Sequence, residues 1–236
     1  MKNASINAVR LSAQSSALKR VVARGNAILR GISGGDRFSN LARTLENQFT
    51  QIRSEMDRPP RLLDFGCGNM AIGEALDKAS CVRLEACTDI YEPPADGDPQ
   101  KWAKYRQVKE DVLPFADNAF DASMAIDVLH HAGTERAVVI LRELARCSRY
   151  VVIKDHFEYG PVSRQLLRLA DWYGNWAYDV NVPDRYFDMA TWEQTISAAG
   201  LKEDRRTVGV TIHTGLFGLI LPARLHFISV LSKSED

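Results

Sequence analysis

The sequence predicts an α/β fold: a largely parallel sheet with an antiparallel last strand, helices on both faces and a helical N-terminal cap. Short apolar segments alternate with amphipathic helical segments between residues 61 and 154, which is typical of a parallel sheet with crossover helices. Two strand-like segments close the chain, and the first 58 residues have helical periodicity. A length of 236 residues with 45% hydrophobic residues suits one large domain with a buried core.

The elements follow from the spacing of apolar residues and from the positions of Gly and Pro. Strands are predicted at residues 61–65, 82–88, 105–108, 120–126 and 150–154, with a final strand pair at 201–213 and 225–231. Helices are predicted at residues 71–78 and 134–146, and a third helix ends at Gly200. Thr191 and Gln194 are expected to form the capping box of this third helix.

The N-terminal 58 residues are predicted to form a cap or lid on a domain that spans residues 59–236, with an acceptor-side insertion at 161–187. Two apolar series have helical spacing, and Pro59 and Pro60 end the second one. Residues 1–35 contain six Lys or Arg and no Asp or Glu. A lid is favoured because Gly25 and scattered charges interrupt the first series, and a basic helix on an anionic membrane surface is the alternative.

Composition excludes several classes of protein. Basic and acidic residues number 30 each, so no excess charge indicates nucleic acid as a partner. The four cysteines form no C-x-x-C pair, which predicts reduced thiols and no metal site. No apolar segment follows Lys2 as in a secretory signal, and the longest apolar run has nine residues, fewer than the roughly 20 that span a bilayer. A cytoplasmic protein is therefore expected.

A glycine-rich turn follows the first predicted strand. Asp64 is followed by Gly66, Cys67 and Gly68, and the spacing to Ala71 satisfies the dinucleotide fingerprint G-x-G-x-x-A. Such glycines let the backbone turn sharply and approach a ligand, and the next helix offers free N–H groups. Asp89, 21 residues after Gly68, is placed to accept hydrogen bonds from both hydroxyls of a ribose. The pattern suits the adenosine of either NAD or S-adenosylmethionine.

Two later segments separate these alternatives. An acidic residue, Asp111, precedes Leu113-Pro114-Phe115, and the fourth strand ends in Asp127-Val128-Leu129-His130-His131. With the glycine turn, the run from residue 64 to residue 154 resembles the cofactor half of class I S-adenosylmethionine-dependent methyltransferases, which implies a Rossmann-like sheet. Met70 departs from the pattern, because many members have a third glycine there, but the helix is expected to begin at this position without backbone strain.

The resemblance implies a role for each matched position. Asp64 would orient the methionyl amino group, Gly66, Cys67 and Gly68 would face the cofactor, and Cys67 is expected to be a small packed residue rather than a nucleophile. The other implied cofactor contacts lie along the strand ends: Asp89 at the ribose with Ile90 next to it in the sequence, Asp111 and Val112 at the adenine, Asp127 and His130 at the methionine end. The expected cofactor is S-adenosyl-L-methionine.

Candidate catalytic residues follow strands four and five. His130, His131 and His156 are candidate general bases, because histidine titrates near neutrality, with Asp155 as an orienting partner. A purely structural role remains an alternative for each histidine. Lys154-Asp155-His156 and the later Asp171-Trp172-Tyr173-Gly174-Asn175 resemble the K-D-H and D-W-x-G-N segments of small bacterial class I methyltransferases. This second resemblance implies the fold and the cofactor, without naming a substrate.

The segment after strand five is rich in aromatic residues that could stack on a planar acceptor or pack against one another. They are Trp172, Tyr173, Trp176, Tyr178, Tyr186 and Phe187. We therefore expect a methyltransferase for a small, apolar or aromatic metabolite, with O-methylation favoured over N- or C-methylation. A lipid or quinone-like acceptor at the membrane surface is the nearest alternative. A nicotinamide oxidoreductase and a non-catalytic binding protein with the same fold are the alternatives of another class.

Overall fold

The computed structural model describes residues 38–93, 99–109, 112–175 and 182–234, with only the backbone of 173–175 and 216–217. One seven-stranded sheet organises these residues, in the order β3-β2-β1-β4-β5-β7-β6. The strands are β1 Arg61–Phe65, β2 Arg83–Asp89, β3 Tyr105–Gln107, β4 Phe120–Ile126, β5 Ser148–His156, β6 Leu201–Val208 and β7 His226–Lys233. The helices are α1 (38–53), α2 Ala71–Lys78, α3 Leu129–Ala132, α4 Thr134–Cys147, α5 Pro161–Asn175, α6 Met189–Ala198 and α7 Gly215–Ile220.

The predicted mixture of strand directions is confirmed. Strands β1 to β5 pair in parallel, whereas β7 is antiparallel to both β5 and β6. The chain order reverses between β1 and β4, which are neighbours at the centre of the sheet. Ligands of open α/β sheets bind at the carboxyl ends of the strands beside such a switch point. The ends of β1 and β4 therefore mark the functional edge.

Helices cover both faces of the sheet, as predicted. On one face, Leu41, Leu45, Phe49 and Ile52 of α1 are buried in one cluster with Leu76 of α2. On the other face, α4 and α6 pack around the fully buried Trp192. The second predicted apolar series of the N-terminal cap is thus part of the main core, and the first series lies outside the described residues.

Helix α1 begins at the functional edge. Gln48 contacts Thr207, near the end of β6, whereas Glu55, just beyond the helix, accepts a hydrogen bond from Tyr150 at the start of β5. The chain therefore descends from the carboxyl edge towards the amino edge. Residue 38 lies ten residues before Gln48, about 15 Å further along the helix at 1.5 Å per residue. The first residue of α1 consequently lies beyond the carboxyl edge of the sheet.

Some predicted boundaries and caps were wrong for local reasons. Asp188 caps α6 instead of Thr191, because its carboxylate accepts hydrogen bonds from both the backbone N–H and the hydroxyl of Thr191. Strand β5 starts at Ser148, two residues before the predicted start. The hydroxyl of Ser148 donates a hydrogen bond to the Leu144 carbonyl at the end of α4. Strand β6 ends at Val208, before Gly209 adopts φ +85°.

No described helix is both long and apolar enough to cross a membrane. The apolar run near the end of the chain forms the short helix α7 and the turn that follows it.

Candidate functional site

The glycine turn after β1 has the backbone that its sequence requires. The N–H groups of Gly66 and Cys67 both donate to the carbonyl of Thr88 in β2. Gly66 and Gly68 have φ +68° and +52°, in the left-handed region that favours glycine. Met70 also has φ +62°, so the expectation of an unstrained helix start was wrong. Its fully buried side chain packs in the core with α1 and α2, which offsets the backbone cost.

The two glycines differ in the space around them. A Cβ atom at Gly66 would lie 2.4 Å from Cγ2 of Val128, so the turn is packed tightly against the end of β4. A Cβ atom at Gly68 would meet no protein atom within 4 Å. Gly68 therefore faces open space at the strand ends, where a ligand can approach the backbone closely.

Two carboxylates flank the turn. Asp89 accepts a hydrogen bond from the N–H of Gly68 at 2.8 Å and a weaker one from Tyr91 at 3.3 Å. Asp64 is buried beneath the turn, and a Cβ atom at Gly73 would lie 2.8 Å from its Oδ2. Burial and the nearby Asp89 raise the pKa of Asp64 to about 8, although the N–H of Gly73 opposes the shift. Asp64 is consequently mostly protonated at neutral pH in this state.

Ile90 and Val112 are two further predicted cofactor positions. Ile90 is 55% exposed and Val112 is 65% exposed, so both apolar side chains are available to an apolar ring. Asp111 lies outside the described residues. Cys67 is half-buried, and its pKa lies far above the usual range because of a hydrogen bond with Cys87 and burial. A thiol held protonated in this way is a poor nucleophile, which agrees with the packing role predicted for it.

The acceptor side is built around His130. Its Nδ1 lies 2.6 Å from Oδ1 of Asp155 in β5, and its Nε2 lies 3.3 Å from Oδ2 of Asp171 in α5. Burial disfavours the charged ring, but these two carboxylates outweigh it and raise the pKa of His130 to about 10. The hydroxyl of Tyr186 donates to the same oxygen of Asp171. His130 is thus an imidazolium that joins α3, β5 and α5.

His156 and His131 have different surroundings. His156 is buried, and burial together with the nearby Lys154 lowers its pKa. Its Nδ1 lies 3.5 Å from Oδ1 of both Asp127 and Asp155. His131 is half-buried, and its ring lies 4.0 Å from that of His130. The four predicted catalytic residues therefore lie together, and their surroundings raise the pKa of His130 but lower that of His156.

A small cavity of about 200 Å³ opens beside His130. Its lining residues come from the loop before α4 and from the segment that leads into α6: Gly133, Thr134, Arg185, Tyr186, Phe187, Asp188 and Thr191. Tyr186 and Phe187 supply aromatic walls, and both are largely buried. The size suits a group of about one ring. A larger groove of about 720 Å³ lies at the opposite edge and contains none of the predicted site residues.

Three residues of this edge had no assigned role from the sequence. Lys154 is fully buried and forms an ion pair with Asp127, and its Nζ lies 3.4 Å from ring nitrogens of His156 and His226. Asp171 lies within the D-W-x-G-N segment and Lys154 within the K-D-H segment, so these two resemblances could have identified both residues as part of the site. His226 has no such signal, because only the antiparallel pairing of β5 and β7 places it opposite His156.

Comparison with known proteins agrees with this architecture. Residues 63–150 match the family model described as a methyltransferase domain. No curated protein sequence matches the chain. Among solved structures, the Burkholderia thailandensis 1,6-didemethyltoxoflavin-N1-methyltransferase, determined with 1,6-didemethyltoxoflavin and S-adenosylhomocysteine, is 18% identical with a TM-score of 0.56. The alignment covers 92% of this chain and 89% of that one.

Two further structures are similar over most of their length. A S-adenosylmethionine-dependent methyltransferase from Aquifex aeolicus is 15% identical, with a TM-score of 0.52 and coverage of 82% of this chain and 89% of that one. A Haloferax volcanii methyltransferase, determined in complex with the activator Trm112, is 13% identical, with a TM-score of 0.54 and coverage of 82% and 94%. At these identities the likeness establishes the fold.

The fold is that of the S-adenosylmethionine-dependent methyltransferases among these solved structures. The family match over residues 63–150 adds the activity: the protein is a S-adenosylmethionine-dependent methyltransferase, with S-adenosylmethionine as its cofactor. The residues present fit this cofactor, because Gly68 faces open space beside the Asp89 carboxylate.

Proposed function

We propose that the carboxyl ends of β1 and β2 and the segment after β3 hold S-adenosylmethionine, with the methionine end directed towards β4. Asp89 would exchange its bond to the Gly68 N–H for the ribose hydroxyls, and Asp64 would ionise beside the methionyl ammonium group. The proposed contact residues are Asp64, Gly66, Cys67, Gly68, Asp89, Ile90, Asp111, Val112, Asp127 and His130. The open space above Gly68 is the observation that carries this assignment.

We propose that the acceptor is a small, apolar or aromatic metabolite that is methylated on oxygen. The cavity of about 200 Å³ beside His130, walled by Tyr186 and Phe187, suits a single ring. The Burkholderia neighbour was determined with a small heterocycle, which supports a planar acceptor, although that enzyme acts on nitrogen. Methyl transfer is an in-line displacement, so the protein contributes mainly alignment and exclusion of water.

His131 is the proposed general base for an oxygen acceptor. His130 already carries a proton between two carboxylates, so it cannot accept another at neutral pH. His156 is buried beside Lys154, which holds it neutral and in contact with that ammonium group. Asp155 is fully buried and occupied by His130, so its proposed role is to orient that ring.

The N-terminal residues are proposed to form a cap over this edge. The direction of α1 supports the proposal, since residue 38 lies beyond the carboxyl ends of the strands, on the same side as the cofactor turn. A segment attached there can cover the cofactor and the acceptor, which would exclude water from the transfer step.

Calorimetry with S-adenosylmethionine and S-adenosylhomocysteine tests the cofactor site. Asp89→Ala is expected to weaken binding at least tenfold, whereas Asp204→Ala, which removes an exposed carboxylate on β6, should leave it unchanged. Equal affinity of the two variants would contradict the assignment. Binding of NAD without either methionine cofactor would favour an oxidoreductase.

The accepting atom is tested with a matched series of 4-nitrophenol, 4-nitroaniline and 4-nitrothiophenol and radiolabelled S-adenosylmethionine. Transfer to the phenol alone supports O-methylation, and transfer mainly to the aniline contradicts it. Cofactor binding with no transfer to any small or lipid acceptor would favour the non-catalytic binding protein.

A lipid or quinone-like acceptor is the second candidate, and exposed apolar side chains favour it. Val162 and Leu169 on the outer face of α5 are 76% and 59% exposed, and Leu219 of α7 is 79% exposed. Both helices lie at the carboxyl edge, and six basic residues lie within residues 1–35. Co-sedimentation with phosphatidylglycerol vesicles tests this candidate. Leu169→Glu should abolish binding, whereas Val139→Glu on α4 should not.

A further inference from the structure

All five histidines of the chain lie at one edge of the sheet. Successive rings are 4.0 Å apart from His131 to His130, 5.2 Å from His130 to His156, 4.9 Å from His156 to His226 and 5.7 Å from His226 to His213. They come from α3, from β5, from β7 and from the loop after β6. Histidines exchange protons near neutral pH. The charged side chains that contact these rings therefore decide which ring nitrogens can accept a proton and which can donate one.

Lys154 is the group that contacts the middle of this run. Its side chain is fully buried, its ammonium pairs with the Asp127 carboxylate, and its Nζ lies 3.4 Å from both Nε2 of His156 and Nδ1 of His226. An ammonium group has donors and no acceptor. Each ring nitrogen that faces Lys154 must therefore carry the lone pair, and each proton must lie on the opposite nitrogen.

Both rings are consequently fixed in one neutral tautomer: His156 with the proton on Nδ1, and His226 with the proton on Nε2. Burial first and Lys154 second lower the pKa of each ring, that of His226 to well below its usual range. Nε2 of His226 is buried and has no hydrogen-bond partner among the described residues, whereas Nδ1 of His156 lies 3.5 Å from carboxylate oxygens of both Asp127 and Asp155. Buried donors without a partner are rare and point to a functional role.

The same lysine fixes Asp127. Asp127 has φ +55°, a left-handed conformation that is costly for a residue other than glycine. Its N–H donates to the carbonyl of Lys154 at 2.9 Å, and its carboxylate pairs with the Lys154 ammonium. Backbone and side chain of Asp127 are therefore both tied to one residue of the neighbouring strand.

We propose that Lys154 is a positioning residue of the methyl-transfer site, which fixes the Asp127 carboxylate and holds His156 and His226 as neutral hydrogen-bond donors. The proposal rests on the proposed function, in which Asp127 borders the methionine end of the cofactor. Neither imidazole then takes a proton from the acceptor. The other groups that face them are the carboxylate of Asp155, the His130 imidazolium and the ring of His213.

Nitrogen-15 NMR of the imidazole rings tests the tautomers without any substrate. Signals of the full-length protein are assigned with single His→Gln variants and followed from pH 5 to pH 9. His226 is expected to stay neutral with the proton on Nε2, and His156 to stay neutral with the proton on Nδ1. A His226 ring that titrates near pH 6.5, or that carries its proton on Nδ1, would overturn the proposal.

Lys154→Met removes the donor while keeping most of the side-chain volume. Both rings are then expected to exchange between tautomers, and at least one should titrate between pH 5 and pH 8. Lys154→Gln, which keeps one amide donor, is the second variant and should preserve the tautomer of one ring. Unchanged spectra in both variants would contradict a role for Lys154. Lys202→Met, at an exposed lysine of β6, is the control.

A double-mutant cycle on cofactor affinity tests the contact through Asp127. Lys154→Met and Asp127→Asn are each expected to weaken S-adenosylmethionine binding about tenfold, and the double variant should lose no more than the worse single one. Full additivity would show that Lys154 does not act through Asp127. If the unmodified protein bound no methionine cofactor, the proposed function would fail, while the tautomer measurement would still decide the role of Lys154.

Discussion

Replacement of Gly66 by alanine tests the packing of the cofactor turn against the end of β4. The new Cβ atom would lie 2.4 Å from Cγ2 and 3.2 Å from Cγ1 of Val128, whereas carbon atoms in contact are separated by roughly 3.5–4.0 Å. Valine is branched at Cβ and has little freedom to rotate away. Gly66→Ala therefore forces either the turn or strand β4 to move.

The expected cost has two parts. A residue other than glycine in the left-handed conformation costs about 1–2 kcal/mol, and Gly66 has φ +68°. Overpacking of a rigid side chain costs about 1–3 kcal/mol more. The sum of about 2–5 kcal/mol is a large part of the 5–15 kcal/mol typical of a domain. At roughly 2–4 °C per kcal/mol for a chain of this size, the melting temperature should fall by about 4–20 °C.

Gly68→Ala is the matched control. Gly68 has a similar φ of +52°, but a Cβ atom there meets nothing within 4 Å, so only the backbone cost of about 1–2 kcal/mol should remain. The same methyl group would project into the space proposed for the cofactor. Gly68→Ala should therefore be the milder variant in stability and should still bind S-adenosylmethionine at least tenfold more weakly.

The assay is urea unfolding of the two glycine variants with and without Val128→Ala. Removing both γ carbons of Val128 should recover the overpacking part of the Gly66→Ala cost, a coupling of about 1–3 kcal/mol. No coupling is expected with Gly68→Ala. Equal destabilisation by the two glycine variants, together with no coupling to Val128, would refute the close contact between the turn and β4.

Three other predictions concern buried or capping charges. Asp64 has a pKa of about 8 in the folded chain, above its unfolded value of about 3.9, so the free energy of unfolding should fall as the pH rises from 4 to 8. Urea titrations at several pH values should show a flatter slope for Asp64→Asn. An Asn variant with the same slope would contradict the raised pKa. The pKa of His130 is raised to about 10 from about 6.5, so its stabilisation of the fold should be complete below pH 6.5 and be lost towards pH 10. His130→Gln should lower the free energy of unfolding by about 3–5 kcal/mol at pH 6, since it leaves Asp155 and Asp171 without their cation. A cost that is the same at pH 6 and pH 10 would be inconsistent with an imidazolium. Asp188→Ala should lower stability by about 0.5–2 kcal/mol through loss of the α6 cap, whereas Gln194→Ala should cost little. A larger loss of stability in Gln194→Ala than in Asp188→Ala, measured by thermal unfolding, would support the capping box predicted from the sequence.

The central part of the fold was predictable because its sequence signals are local. Strands β1 and β4 and helix α2 were placed at their observed bounds, since apolar runs flanked by Gly or Asp define them without help from distant residues. The α6 cap was missed because Asp188 and Thr191 are both good capping residues. Only the geometry of the turn shows that the Asp188 carboxylate holds the N–H of Thr191.

The candidate site was predictable only in part. The glycine turn and Asp89 lie close to one another because adjacent strands of a parallel sheet end at the same edge, which follows from strand order. Charge states could not be predicted in this way. His130, His131 and His156 were equivalent as candidate bases, and their surroundings separate them only once Asp171 of α5 and Lys154 of β5 are placed beside them.

The charge balance of the edge suggests why a cationic cofactor suits it. The acidic groups near the methionine end are Asp64, Asp127, Asp155 and Asp171, against the cations of His130 and Lys154. Before the cofactor binds, Asp64 is protonated and one negative charge remains in excess; ionisation of Asp64 beside the methionyl ammonium group would raise this excess to two. S-adenosylmethionine carries one net positive charge, on its sulfonium. Transfer of the methyl group removes that charge, so the product S-adenosylhomocysteine loses an attraction that the substrate had. S-adenosylmethionine should therefore bind more tightly than S-adenosylhomocysteine, and Asp127→Asn should reduce the difference between them.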